Sequence, residues 1–127
     1  MTNNKHKPIC VVIAARRGVI QEALKAMLAD LSWLNTIAFA GETNMVLRTI
    51  QAQKSDLLLL DSDLVAGDVA SLLCEVKKVQ PDIRCLVLTE TIRQQDQARL
   101  GKADAIFPHH GSVDRLHSAL KGLCAER

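Results

Sequence analysis

The chain has 127 residues, a formal net charge of +2, 48% apolar residues and 2% aromatic residues. These values favour a single globular domain with an aliphatic core, and the small net charge does not indicate a nucleic-acid partner. No run approaches the ~18 apolar residues of a membrane span, and the four cysteines form no CxxC pair, so we expect a soluble cytoplasmic protein with reduced thiols.

The first half of the chain alternates apolar strands with amphipathic helices. Residues 9–14 form a continuous apolar run rich in β-branched side chains, which predicts a buried strand. Apolar residues recur at helical spacing over 19–31 and predict a first helix. A second strand is expected over 36–40, where Gly41 ends it, and a second helix over 44–53.

Four consecutive leucines at 57–60 form the most informative segment. The run lies between Asp56 and Asp61 and is too short for a buried helix. It fits a strand that is covered on both faces, as in a parallel sheet. Asp61 would then lie at the carboxyl end of the strand, the edge at which open α/β sheets carry their sites.

Further apolar segments continue the alternation. A third helix is expected over 69–79 and is stopped by Pro81, which cannot continue it. A fourth apolar strand covers 85–88 and is followed by Thr89. The next helix, within 91–100, is weakly patterned, and we expect it to be short.

The chain then predicts a brief fifth strand at 105–107 and a last helix. Ser112 is a suitable N-cap for that helix, whose apolar residues run from 113 to 123. Five strands alternating with five helices predict a doubly wound α/β fold with a parallel sheet, in the flavodoxin-like order 2-1-3-4-5. We expect one such domain over 1–127.

Several segments match a known pattern when taken together. Residues 55–61 look like a strand that ends in a phosphate-accepting aspartate, Asp61. Thr89 occupies the position of a Ser or Thr that hydrogen-bonds the phosphoryl group, and residues 103–106 are similar to an Ala-Asp-Gly-aromatic segment. From residue 9 to about 123, the chain resembles the CheY-like receiver domain of bacterial response regulators, especially receivers of the NarL and LuxR type.

The chain departs from that family at several positions. The two adjacent acids that hold Mg²⁺ in receivers correspond to Ala15 and Arg16. His109 replaces the lysine that follows the fifth strand, and His110 replaces the proline after it. Ile106 stands at the aromatic switch position. The resemblance therefore implies an atypical receiver.

The missing acids bear directly on phosphoryl transfer. Charge on the transferring group must be neutralised, and receivers use Mg²⁺, which prefers carboxylate oxygens. Asp61 and nearby Asp63, with one backbone carbonyl, make a poor magnesium site, and the permanently cationic Arg16 would repel the metal. We therefore expect no metal or other cofactor.

Two hypotheses concern what replaces the metal. Arg16 is expected beside Asp61 at the switch point of the sheet and could pair with it in place of Mg²⁺; alternatively, its side chain points into solvent. His109 could offer an imidazolium to a phosphate, or it could be a surface-loop histidine. The His109-His110 pair is a weak metal motif, because adjacent strand residues point to opposite faces.

The resemblance implies a non-enzymatic signalling and dimerisation module that takes part in phosphorelay signalling. Its expected partners are a sensor histidine kinase and a second copy, bound through the fourth helix, fifth strand and fifth helix or through the first and fifth helices, without direct binding to nucleic acid or membrane. Two alternatives remain: a fully competent phosphoacceptor at Asp61, and a flavin- or nucleotide-binding domain, which residues 15–18 disfavour because they contain one glycine. The chain could also be the N-terminal part of a longer transcription regulator.

Overall fold

The computed structural model describes residues 8–125, which form a five-stranded sheet with helices on both faces. In chain order the elements are β1 (Ile9–Ala14), α1 (Val19–Ala29), β2 (Leu34–Ala40), α2 (Thr43–Ala52), β3 (Leu57–Asp61), a 3-10 turn (Ser62–Leu64), α3 (Val69–Val79), β4 (Arg84–Thr89), α4 (Ile92–Leu100), β5 (Ala105–Pro108) and α5 (Val113–Cys124). All strand pairs are parallel, in the order β2-β1-β3-β4-β5. The predicted fold class and strand order are confirmed.

Strand β3 is the centre of the sheet and separates two hydrophobic clusters. Leu57 and Leu59 pack into the cluster that contains the buried residues of α1 and α5. Leu58 and Leu60 pack into the cluster shared with α2, α3 and α4. The leucine run is therefore buried on both faces, as predicted, and each leucine contributes about 1.5–3 kcal/mol by leaving water.

Most predicted boundaries agree with the structure to within one or two residues. Strand β2 begins two residues before the predicted start, because Leu34 and Asn35 pair with Ile9 and Cys10 of β1. Asn35 is exposed and polar, and it interrupts the apolar pattern on which the prediction depended. The fourth helix is short, as expected, with nine residues. No helix within 8–125 has the length and apolar character needed to cross a membrane.

Local side-chain bonds fix the helix starts nearest the carboxyl edge of the sheet. Asp68 caps α3 by accepting hydrogen bonds from the N–H and hydroxyl of Ser71, and these bonds lower the pKa of the Asp68 carboxyl. Ser112 caps α5 as predicted, accepting from the N–H of Arg115. The starts of α3 and α5 are thus set by hydrogen bonds between residues that are close together in the sequence.

Candidate functional site

Asp61 lies at the carboxyl end of β3, where the strand passes into the 3-10 turn. Its residue surface is only 2% exposed, so its carboxylate depends on protein hydrogen-bond donors. The backbone N–H of Asp63 donates to Asp61 Oδ1 over 3.0 Å and closes the turn. Asp61 is therefore a buried carboxylate held in one orientation at the edge of the sheet.

His109 supplies the second partner of Asp61. Its backbone N–H donates to the carbonyl of Thr89 over 2.8 Å, which holds the loop after β5 against the end of β4. The imidazole Nε2 lies 3.0 Å from Asp61 Oδ1 and 4.0 Å from Asp63 Oδ2. The side chain is 16% exposed, so the expectation of a surface-loop histidine is wrong, and His109 instead faces the carboxylate.

Ala15 and Arg16 follow β1 but add no charged group to this pocket. Ala15 is fully buried, and its N–H donates to the carbonyl of Ala40 over 3.1 Å. Arg16 is exposed and forms no ion pair with Asp61 within the described residues. The expected Arg16–Asp61 pair is therefore not formed, because the chain leaves the sheet toward solvent, where a guanidinium avoids the cost of desolvation.

Gln94 connects the pocket to α4, and the sequence reasoning did not identify it. Its Nε2 donates to Asp63 Oδ1 over 2.8 Å, while its Oε1 accepts from the N–H groups of Glu90 and Thr91. Thr91 Oγ1 accepts from the N–H of Gln94 in return, which completes a capping box. The Thr-x-x-Gln spacing at 91–94 is a known helix-start signal and could have singled out this residue.

Two hydroxyl groups at this edge of the sheet are buried and have no hydrogen-bond partner in the described part of the chain. They belong to Ser62 and Thr89, which are 2% and 1% exposed. Burying a hydroxyl without a partner costs about 1–3 kcal/mol, so each of these groups is a place for a bound water or another ligand. Thr89 lies where the receiver resemblance implies a contact with a phosphoryl group.

Ile106 stands at the expected switch position in β5. It pairs with Val87 of β4 and is partly buried against the cluster that contains the residues of α3 and α4. An aliphatic side chain with this packing has no aromatic ring to move between an inner and an outer position. The aromatic rotamer switch of the family therefore has no counterpart at position 106; the aromatic residue of β5, Phe107, is buried on the other side of the sheet.

The donor set does not suit the Mg²⁺ that the receiver resemblance implies. One potential ligand atom from each of Asp61, Asp63 and His109 lies within 4.8 Å of the others. Mg²⁺ requires nearly octahedral oxygen coordination, yet one of these donors is nitrogen, and Ala15 and Arg16 supply no carboxylate. No step of the chemistry is therefore assigned to magnesium.

Comparisons with known proteins identify the fold. No family model matches the sequence, and no curated protein matches it significantly. The signal receiver domain of NarL from Mycobacterium tuberculosis is 19% identical with a TM-score of 0.83, over 95% of this chain and 99% of that one. The isolated receiver domain of RcsB from Salmonella enterica serovar Typhimurium, solved with a phosphomimetic, is 17% identical with a TM-score of 0.84, over 95% of this chain and 91% of that one.

A longer solved structure also matches this chain over part of its length. The RcsB response regulator from Salmonella typhimurium, described in connection with DNA interaction, is 17% identical with a TM-score of 0.83. The alignment covers 95% of this chain and 61% of that one. The chain therefore has the fold of a response-regulator receiver domain.

Proposed function

We propose that the chain is a receiver domain of a two-component response regulator, acting in the cytoplasm as a signalling and dimerisation module with an altered phosphoacceptor pocket. The receiver fold and the position of Asp61 at the end of β3 support the receiver assignment. One observation carries the altered pocket: His109 Nε2 lies 3.0 Å from Asp61 Oδ1, while no acid follows β1.

The altered pocket follows from electrostatics. An aspartate that attacks phosphorus needs cationic groups that neutralise the transferring phosphoryl oxygens. Here Arg16 is exposed, and the imidazole of His109 is already engaged with the attacking carboxylate itself. Phosphoryl transfer to Asp61 must break this contact, so we expect it to be slow. Partner binding is then the stronger regulator, because a partner that binds one conformation of the domain more tightly shifts the conformational equilibrium toward it.

The proposed partners are a sensor histidine kinase and a second copy of the chain. The elements α4, β5 and α5 support the dimer proposal, because three of their large apolar side chains are exposed, among them Val113 (39%) at the start of α5. Ile92 is 74% exposed and Leu100 is 69% exposed, at the two ends of α4. At α1, Val19 is 84% exposed, which favours the second face considered for dimerisation. Neither surface suggests a nucleic-acid or membrane partner.

Treatment with acetyl phosphate and Mg²⁺, followed by intact-protein mass spectrometry, tests the proposal. We expect little or no adduct with the mass of a phosphoryl group on Asp61, and none in the Asp61→Asn control. The His109→Lys variant should gain adduct, because lysine places a permanent cation in the loop and removes the imidazole contact. If the adduct is equally small in the unaltered chain and in His109→Lys at every acetyl phosphate concentration, the role assigned to His109 is contradicted.

A second candidate is a fully competent phosphoacceptor. The specific observation in its favour is the buried hydroxyl of Thr89, which has no partner within 8–125 and could donate to a phosphoryl oxygen. The same experiment separates the two candidates. Rapid, stoichiometric modification of Asp61 in the unaltered chain, labile to hydroxylamine as an acyl phosphate is, would favour the competent receiver and overturn the altered pocket.

A further inference from the structure

We propose that Asp61, Asp63 and His109 form a binding site for a divalent transition metal ion, with Zn²⁺ as the ion of best fit. The site faces the loop after β5, whereas the acids that hold Mg²⁺ in the family would follow β1. The inference deepens the proposed function and rests on it, because it names the ligand class of the same altered pocket.

The geometry of the three side chains is close to that of a metal site. His109 Nε2 lies 3.0 Å from Asp61 Oδ1 and 4.0 Å from Asp63 Oδ2, and the donor atoms of all three residues lie within 4.8 Å of one another. With metal–ligand bonds of about 2.0–2.1 Å, the ligand atoms of a tetrahedral ion are about 3.3 Å apart. The two measured separations lie on either side of this value, so small side-chain adjustments would form the site.

The donor chemistry selects the ion. An imidazole nitrogen with two carboxylates suits Zn²⁺ and related first-row ions, whereas Mg²⁺ prefers oxygen ligands alone. Three protein ligands would leave one coordination position open for water. Two of the three ligands are shielded from solvent, since the side chains of Asp61 and His109 are 3% and 16% exposed, while the side chain of Asp63 is 40% exposed and would leave the ion open to water on that side.

Surrounding hydrogen bonds orient the three ligands. Gln94 donates to Asp63 Oδ1, which leaves Oδ2 on the side of His109. The N–H of Asp63 fixes the Asp61 carboxylate, and the carbonyl of Thr89 holds the backbone of His109. Such outer contacts commonly change metal affinity 10–100-fold when removed. The three proposed ligands are therefore held in place by hydrogen bonds, unlike acidic side chains on an open surface.

Two buried hydroxyl groups belong to residues next to the proposed ligands in the fold. The hydroxyls of Ser62 and Thr89 are buried and have no partner in the described chain. Ser62 lies between the two carboxylate residues in sequence, and the backbone of Thr89 is bonded to His109. A metal-bound water within reach of Thr89 Oγ1 would give that hydroxyl a partner and offset the cost of burying it.

Titration with ZnCl₂ tests the site, with the imidazole ¹⁵N signals of each histidine as the readout. All proteins carry Cys74→Ser, which removes the exposed thiol as a competing ligand. We expect the His109 signals to shift and saturate at one equivalent of Zn²⁺, and MgCl₂ at the same concentration to leave them unchanged. Asp63→Asn should weaken Zn²⁺ binding at least tenfold, while His110→Gln, at an exposed neighbour, should not.

Several outcomes would overturn the site. The His109 signals could remain unshifted at millimolar Zn²⁺, or Asp63→Asn could leave the affinity unchanged, or Mg²⁺ could produce the same shifts at the same concentration. The failure of the proposed function looks different. Stoichiometric phosphorylation of zinc-free protein by acetyl phosphate and Mg²⁺ would overturn the altered receiver and leave the Zn²⁺ site intact, whereas an absent Zn²⁺ response would leave the receiver proposal unaffected.

Discussion

Strands β1 and β3 are neighbours in the sheet, yet their carboxyl ends carry different groups. The two strands pair in parallel up to Ala14 and Leu60, and both are buried there. Beyond that pair, β1 leads into buried, apolar Ala15 and exposed Arg16, while β3 ends on buried, charged Asp61. The two strand ends are equally buried, so burial alone does not explain why one carries an apolar residue and the other a charged one.

The donors around each strand end explain the difference. Asp61 receives the N–H of Asp63 and contacts the imidazole of His109. At the end of β1, the side-chain amide of Gln21 already donates to the carbonyl of Ala15 over 3.0 Å. A buried carboxylate is tolerated only where donors converge on it. The acid therefore lies at the strand end where these donors converge.

The largest expected effect comes from adding an acid at the end of β1. Ala15→Asp should lower the free energy of unfolding by about 3 kcal/mol at pH 7, because it buries an uncompensated charge in a fully packed position. Urea denaturation measures the change. Arg16→Asp, at the exposed neighbour, is the matched control and should change stability by less than about 0.5 kcal/mol. Equal losses of stability in Ala15→Asp and Arg16→Asp would contradict the claim that the end of β1 cannot hold a buried acid.

The next effect comes from removing the donor beside Asp61. His109→Ala should lower the free energy of unfolding by about 2 kcal/mol, because a buried carboxylate loses one of its partners. His110→Ala should have little effect, because His110 is exposed. Urea denaturation of the two variants in parallel provides the measurement. A loss at His110 as large as that at His109 would show that the loop, and not the contact with Asp61, determines stability.

Most of the fold could be predicted because its signals are local. The apolar run at 9–14 and the helix at 69–79, stopped by Pro81, were predicted with the bounds observed in the structure. Each depends on side-chain periodicity or on a single residue that cannot continue a helix. The strand order followed from the alternation of five strands and five helices.

The contacts of the site could be predicted only in part. Asp61, Asp63, Thr89 and His109 do lie at one edge of the sheet, as the strand order implies. The Asp61–His109 contact joins residues 48 positions apart and depends on the path of the loop after β5, which no sequence pattern encodes. Strand order places Arg16 near Asp61 but does not determine its side-chain direction, so the sequence left pairing with Asp61 and exposure to solvent as equal alternatives.

A smaller effect is expected at the link between the pocket and α4. Gln94→Ala removes the bond to Asp63 and one half of the capping box, and should cost about 1 kcal/mol. Amide hydrogen exchange should speed up in the first turn of α4. Gln95→Ala is the control, because the bond of Gln95 to Thr91 uses only the backbone N–H. Unchanged exchange in Gln94→Ala would mean that α4 does not depend on the pocket.

The smallest expected effect separates the two residues considered as partners of Asp61. Arg16→Gln removes a charge from an exposed side chain that makes no ion pair with Asp61, so the free energy of unfolding should change by less than about 0.5 kcal/mol. The imidazole ¹⁵N signals of His109 should also stay unchanged, because its contact with Asp61 is independent of Arg16. If Arg16 did pair with the buried carboxylate in solution, its removal would destabilise the chain as much as His109→Ala does. Urea denaturation of both variants therefore decides which residue is the partner of Asp61.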